Sequence, residues 1–283
     1  MKISIITPCY NAEAYLAETI RSVLGQKGDF EIEYTIVDGE STDRTTEVIE
    51  KYIRGMESGH VEPYCRGVSL NYLSEKDEGM YDALVKGFRL ASGEIIAWIN
   101  SDDFYLPNAF STVVDVFRQF HEVEWLTGMP VHYNEKGQIT DTVLPLGYER
   151  DLIRKGIFGT ILPYIQQEST FWRAGLLRHI DFDVLKGHRY AGDFYLWDSF
   201  SRHTELYVVH SCLAGWRRRR GQLTSRMDKY NGEFHRIAEP RSVIDTLRGW
   251  LLKKMNNQLP NKYKRKYGRR LICFRDGEWV RRR

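Results

Sequence analysis

At 283 residues the chain can form one large domain or two small ones, and a hydrophobic content of 42% excludes disorder throughout. The formal net charge of +3 hides an asymmetry: residues 1–215 carry 20 Lys and Arg against 32 Asp and Glu, whereas residues 216–283 carry 21 against 6. An acidic body with a basic appendage points to an anionic partner for the appendage.

Cys9, Cys65, Cys212 and Cys273 are too scattered for a CxxC motif. That argues against a disulfide framework or a zinc site and fits a reducing cytoplasm. The first apolar run stops at Pro8, too soon for a signal-peptide core, and no apolar stretch approaches the length of a membrane span.

In chain order, residues 3–6 form a β-branched run that predicts a strand. Leu16, Ile20, Val23 and Leu24 follow at helical spacing, with Asn11 positioned to cap the helix start. Residues 34–37 predict a second strand, ending in the turn-rich Asp38-Gly39-Glu40-Ser41-Thr42-Asp43. Val48, Ile49, Tyr52 and Ile53 mark the next helix, and Asp43 is placed to cap it. Residues 70–73 predict a third strand, 81–91 a third helix and 95–99 a buried fourth strand ending in Asn100-Ser101-Asp102-Asp103. A further helix is expected near 108–120 and another over 190–200, while residues 143–164 show no clean period. Alternating strands and helices predict an α/β fold with a doubly wound, mostly parallel sheet. Ligands in such sheets sit at the carboxyl ends of the strands. All four polar clusters fall there: 7–11, 38–43, 75–79 and 100–103.

Adjacent carboxylates at Asp102 and Asp103 repel unless a cation or hydrogen bonds offset the charge. A divalent ion shared with a diphosphate does so, and it neutralises a leaving nucleoside diphosphate. The alternative is a helix cap before the segment 104–120. The eight histidines show no pairing at metal-ligand spacing.

Several stretches together resemble family 2 glycosyltransferases of the GT-A fold: ISIITPCYNAEAYLAETIRSVLGQ (3–26), YTIVDGESTDRT (34–45), and GEIIAWINSDD (93–103). SEKDEGMYDALVKGFRLASGEIIAWINSDDFYLPNAF (74–110), QQESTFWRAGLL (166–177) and YAGDFYLW (190–197) are similar to enzymes that build bacterial surface polysaccharides such as O-antigen. The likeness runs in order over roughly residues 3–200. It implies an inverting, metal-dependent transfer of a sugar from a nucleotide-sugar donor to a saccharide or polyprenyl-linked acceptor.

The resemblance also implies roles. Asp103 of the DxD-like motif would bind Mn²⁺ or Mg²⁺, with Ser101 and Asp102 on the donor side. Pro8 and Tyr10 would line the nucleobase and Asp38 would read its edge or cap the next helix, with Asp77 and Gly79 nearby and Tyr81, Asp82 and Lys86 on a helix reaching toward the donor. Asp193 would be the base that takes the proton of the acceptor hydroxyl. Gln167, Glu168 and Thr170 would lie under the acceptor. Trp197 and Trp172 would stack on sugar rings or pack in the core. Tyr10 has core packing as its alternative, Asp77 a turn and Asp193 a helix cap. The chain departs from the family pattern at Gly39-Glu40, where Asp-Gly is usual, at Val85, where Asn is usual, and at Tyr195, where a second Asp is common; the first departure leaves the base preference open.

Two other classes compete, and a nucleotide-sugar-binding homologue without transferase activity is a third reading. A dinucleotide-binding dehydrogenase needs a glycine-rich turn after the first strand, and Thr7-Pro8-Cys9-Tyr10-Asn11 has none. A nucleic-acid-binding protein would use the Arg217–Arg220 run, but the acidic strand ends would repel a polyanion, so no nucleic acid is expected. Residues 1–215 are therefore read as the catalytic α/β domain and 216–283 as a basic, aromatic-rich C-terminal extension. In the extension, cations alternate with Trp250, Leu251, Leu252, Met255, Tyr263, Tyr267, Leu271, Ile272, Phe274 and Trp279. That is the pattern of a helix lying in an anionic membrane interface. Residues 241–283 are expected to hold the chain peripherally on the cytoplasmic face of a membrane; the alternative is a packed subdomain with a solvated basic face.

Overall fold

The computed structural model describes residues 1–218, 226–268 and 270–281, with the Tyr267 side chain excepted. Four parallel strands form its first half: β1 (Lys2–Cys9), β2 (Gly28–Asp38), β3 (Cys65–Ser74) and β4 (Ile95–Trp98). The first three are longer than their apolar runs, because pairing recruits polar residues whose side chains find partners, while β4 ends one residue short of its run. Thr7 Oγ1 and Tyr34 Oη, for example, satisfy each other at 3.0 Å in the core. The helices between are α1 (Leu16–Leu24), α2 (Thr45–Glu57) and α3 (Met80–Leu90), with α4 (Ala109–Gln119) following β4. α1 buries Leu16, Ile20, Val23 and Leu24, each contributing about 1.5–3 kcal/mol.

The parallel register explains why the polar clusters converge. Cys9 pairs with Asp38 across β1 and β2. Asp38 pairs with Ser74 across β2 and β3, and Ile6 with Trp98 across β1 and β4. All four strands therefore end on one edge.

The second half contains β5 (Phe104–Tyr105), β6 (Trp125–Thr127), β7 (Val131–Tyr133), β8 (Ile139–Thr142), α5 (Arg150–Arg154), β9 (Thr170–Arg173), α6 (Phe182–Gly187), α7 (Gly192–His203), β10 (Leu206–Val209) and β11 (Ala214–Arg217). Then come α8 (Met227–Ile237), α9 (Val243–Gln258), α10 (Asn261–Tyr267), β12 (Leu271–Arg275) and β13 (Glu278–Arg281). The main sheet has nine strands in the order β13-β12-β10-β6-β9-β4-β1-β2-β3, and a smaller one runs β5-β11-β7-β8. β9 is antiparallel to both of its neighbours, and β13 is antiparallel to β12. The rest of the large sheet is parallel. Residues 143–164 hold only α5 and loops.

The change of composition at residue 216 falls inside β11. β12 pairs in parallel with β10 at the sheet edge, so Leu271 and Ile272 are core residues. No helix among the described residues is long and apolar enough to cross a membrane.

The local expectations need three corrections. Asn11 does not cap α1, which begins at Leu16 behind Tyr15. Its backbone is left-handed (φ 49°), and its side-chain oxygen accepts the Thr42 N–H at 2.8 Å, tying the β1 loop to the β2 loop. The Asp102-Asp103 pair is not a helix cap, because β5 intervenes and α4 starts at Ala109. Trp172 and Trp197 do not offer ring faces to a sugar. Both are at most 2% exposed, and Trp197 stacks on Trp98 and Trp125 at 5.6 and 5.7 Å in an aromatic core.

Candidate active site

The β2 loop is built around Asp38, which has no exposed surface. Its carboxylate accepts the Ser41 N–H at 3.3 and 3.1 Å, the Ser41 hydroxyl, and the Ser74 hydroxyl at 3.2 Å. Asp38 thus shapes the loop, and the Tyr72 hydroxyl and Cys9 thiol also donate to its oxygens, at 3.4 and 3.7 Å. Tyr10 is 60% exposed beside this loop, which removes core packing as its role. Pro8 is buried at the end of β1.

Asp77 lies against Gly39: a Cβ there would sit 2.5 Å from Asp77 Oδ2. A larger residue at this position would require the Asp77 side chain to shift. Asp77 also accepts the Gly79 N–H at 2.9 Å, and burial pushes its carboxyl above the ordinary range. Gly79 has φ 140°, a conformation that favours glycine, and stands at the start of α3. Lys86 is engaged within this loop, donating to the Lys76 carbonyl at 2.7 Å and pairing with Glu75 at 2.9 Å.

Asp102 and Asp103 are 8% and 1% exposed. Asp103 Oδ1 accepts the Arg217 N–H at 2.9 Å and Oδ2 the Asn100 amide at 3.4 Å. Burial, then the charges of Asp102 and Glu168, push the Asp103 carboxyl far above its ordinary range. Ser101, partly exposed, precedes the pair. Glu168 sits on a short 3-10 turn, 167–169, that leads into β9. Burial, with the Asp102 and Asp193 charges, raises its carboxyl to about 8. Glu168 Oε1 and both polar atoms of the Gln167 side chain are buried without a hydrogen-bond partner. Thr170 faces inward and donates to the Gln166 carbonyl at 2.8 Å.

These carboxylates suit a divalent cation that a ligand completes. Each Asp103 oxygen accepts one hydrogen bond and keeps a second lone pair. The orphaned Glu168 Oε1 marks a region short of positive charge or donors. No group of three or more His, Cys, Asp or Glu with metal-holding geometry occurs among the described residues. One or two carboxylates plus substrate phosphates is the usual hold on Mg²⁺.

Asp193 lies in the first turn of α7. The residue that caps α7 is Ala191, so Asp193 is not a helix cap; its Oδ1 accepts the Phe194 N–H at 2.8 Å. Tyr230 of α8 donates to its two oxygens at 3.2 and 3.3 Å. Tyr164, Phe194, Tyr230 and Phe234 enclose the carboxyl beside a cavity of about 10 Å³. Burial raises the Asp193 carboxyl to about 6, held back by the Phe194 and Tyr230 hydrogen bonds. That value suits a base working near neutrality. Removing the Tyr230 hydroxyl takes away a donor to the ionised form. Tyr230→Phe is therefore expected to move the acidic limb of kcat/KM upward in pH, by about one unit at most. A pH profile of wild type and variant measures it, and coincident limbs would rule the contact out as functional.

Two further residues belong to the site. Arg217, the first member of the basic run, is 2% exposed rather than a solvated charge. Its side chain donates to the Asp102 carbonyl at 3.0 Å and to Glu18 at 2.5 Å, and it lies over the rings of Tyr15 and Phe104. Arg219 and Arg220 lie outside the described residues. Tyr81 donates to the Tyr190 carbonyl at 3.0 Å and accepts the Asp193 N–H at 3.1 Å.

The glycosyl transferase family 2 profile matches residues 4–176. The chain belongs to that family. Its expected likeness to family 2 and its α/β fold both hold. The chain is 31% identical over 184 residues to the poly(ribitol-phosphate) beta-N-acetylglucosaminyltransferase TarS of Staphylococcus aureus, covering 64% of this chain and 29% of TarS. It is 37% identical over 101 residues to the putative teichuronic acid biosynthesis glycosyltransferase TuaG of Bacillus subtilis, covering 36% of each. The chain thus spans well under two thirds of these relatives' length. In structure, residues 1–349 of TarS with UDP-GlcNAc align with a TM-score of 0.59 at 18% identity, over 93% of this chain and 69% of that one. The mannosyltransferase PcManGT of Pyrobaculum calidifontis, in complex with GDP-Man and Mn²⁺, aligns with a TM-score of 0.55 at 13% identity, over 94% and 72%. The chain is thus a family 2 member similar to proteins named for teichoic acid, teichuronic acid and chondroitin synthesis.

Proposed function

We propose that this glycosyltransferase moves a sugar, with inversion, from a nucleotide-sugar donor to a saccharide hydroxyl on a polyprenyl-linked acceptor during synthesis of a bacterial surface polysaccharide such as O-antigen. The observation that carries this reading is electrostatic. The charges of Asp102 and of a base-like carboxyl, Asp193, both act on the buried Glu168, and those of Asp102 and Glu168 act on Asp103. Tyr10, Pro8, Asp38, Asp77 and Gly79 frame the base and ribose. Lys86 keeps the 75–79 loop in shape rather than touching phosphate. Asp103, aided by Asp102, would hold Mn²⁺ or Mg²⁺, which supplies charge neutralisation for the departing nucleoside diphosphate. Arg217 fixes the acidic turn through its backbone N–H and its guanidinium. Asp193 takes the proton of the acceptor hydroxyl as that oxygen attacks the anomeric carbon. Gln167 and Glu168, with unpartnered polar atoms, offer the acceptor hydrogen bonds. The basic C-terminal region lies against an anionic membrane surface on the cytoplasmic face, where a polyprenyl-linked acceptor is met.

A panel of nucleotide sugars, tested by thermal shift with and without Mn²⁺, examines the donor half. A cognate donor at about a hundred times its Kd stabilises the fold by about 2.7 kcal/mol. The expected result is a rise for one nucleotide class, larger with Mn²⁺. No rise with any donor would overturn the reading.

A further inference from the structure

α9 leaves much of its apolar surface outside the fold. Its inward side carries Asp245 and Gly249, with Leu252 packed against the core and Arg248 half-exposed in ion pairs. Asp245 is 5% exposed, forms a capping box with Ser242, and pairs with Lys155 at 2.8 Å. Arg248 pairs with Glu149 and Asp151 at 2.7 and 2.8 Å. Gly249 lies against Ile157, where a Cβ would come within 2.8 Å. Its outward side carries Val243, Ile244, Leu247, Trp250 and Leu251, between 54% and 76% exposed. Those positions follow the helical period, so they form one continuous apolar stripe.

The charge around the stripe identifies what covers it. Residues 246–275 contain ten Lys and Arg and no Asp or Glu; Arg248 and Arg270 are ion-paired and Lys264 is buried against the Leu144 carbonyl, which leaves the cations next to the stripe to act outward. Lys253 lies 4.9 Å over the Trp250 ring. Lys254, at the next outward position, is exposed, as are Lys262 and Arg265 on α10. A two-fold pairing of this stripe with its own copy would bring these cations against each other and gain no opposite charge. An anionic bilayer satisfies both features, since acyl chains take the apolar stripe and headgroups take the cations. Trp250, an amphipathic ring beneath a cation, is the kind of side chain that settles at headgroup level.

We propose that α9 is the membrane-inserting element of this enzyme, lying in the plane of an anionic leaflet with Ile244, Leu247 and Leu251 in the acyl boundary. The proposal rests on the reading of the basic region as membrane-facing and narrows it to one helix face.

The test is vesicle flotation of the full chain, with phosphatidylcholine alone or with phosphatidylglycerol added, at low and high salt. The variants are a triple Ile244→Ser, Leu247→Ser, Leu251→Ser and a triple Lys253→Glu, Lys254→Glu, Lys262→Glu. Ile244, Leu247, Leu251, Lys254 and Lys262 are exposed and Lys253 is half-buried, and unchanged thermal unfolding verifies intact structure. Wild type is expected to float with anionic vesicles only, and the serine triple to lose roughly tenfold or more in partitioning. Serine variants that float like wild type, while the glutamate triple does not, would overturn insertion and leave the electrostatic reading standing. Wild type that floats with no vesicle would overturn both. A lipid-free dimer that the serine triple dissociates would assign the stripe to a second copy and overturn the proposal.

Discussion

Asp103→Ala is expected to abolish sugar transfer and to weaken nucleoside-diphosphate binding, with little loss of fold stability. Asp103 is almost fully buried, next to Asp102 and Glu168, and is held far above the ordinary carboxylate range. Alanine leaves the Arg217 N–H without its acceptor, at about 1–3 kcal/mol. It also removes a carboxyl that is expensive to ionise there, and the two effects oppose. Activity has no such offset, because a preorganised charge at the reacting diphosphate contributes roughly 10²–10³ in rate or more. The pH dependence of stability carries a second signature. Asp103 and Glu168 hold protons more tightly in the folded than in the unfolded chain. The folded state therefore loses stability as pH rises from the unfolded carboxylate range toward about 8, the Glu168 value. In Asp103→Ala that decline is shallower. Turnover assays with added Mn²⁺ or a chelator, beside unfolding curves across pH, measure both. A variant with full activity, or a wild type indifferent to the chelator, would sink the assignment of Asp103 to a cation.

The first half of the fold was legible because each signal there is local. The β-branched runs at 3–6 and 34–37 and the apolar spacing in α1 and α3 are decided within ten residues. Parallel strands joined by helices then bring their carboxyl ends together. That is why the clusters at 38–43, 75–79 and 100–103 were readable as one place. The resemblance supplied the family. Asn11 was misread because a cap and a loop-to-loop tie look alike in sequence: both ask for a short polar side chain, and Asn also tolerates its left-handed backbone.

What was not legible depends on distant partners. Arg217 heads a run of four arginines and reads as solvated charge. Its burial follows from β11, which pairs with β5 and β7 and carries the guanidinium over Asp102. The alternation in Ala214-Gly215-Trp216-Arg217 is the weak local sign of that strand. Tyr230 lies 37 residues from Asp193 on a helix with no motif. The tail composition mixed two fates. Leu271 and Ile272 complete the central sheet, while Trp250 and Leu251 stay outside it, and only pairing with β10 separates the two sets.

Asp193→Asn is expected to lower kcat by roughly 10²–10⁴-fold, the usual cost of losing a general base, while donor binding persists. Asparagine keeps the shape of the side chain. Its amide oxygen still accepts the Phe194 N–H, and the Tyr230 hydroxyl can turn to match the amide. Only the capacity to take a proton is removed. In wild type, the acidic limb of kcat/KM should fall at about 6, the raised Asp193 value, and that limb should vanish from the residual activity of the variant. Stability gives an independent check with a definite sign. The carboxyl binds its proton more tightly in the folded chain, so wild type loses stability as pH rises from the unfolded aspartate range to about 6. Asp193→Asn lacks that loss and should be at least as stable as wild type at neutral pH. Donor-induced thermal shifts of equal size in the two proteins would separate the base from the donor site. If the donor shift collapses while turnover persists, Asp193 belongs to donor recognition and the proton must leave by another group.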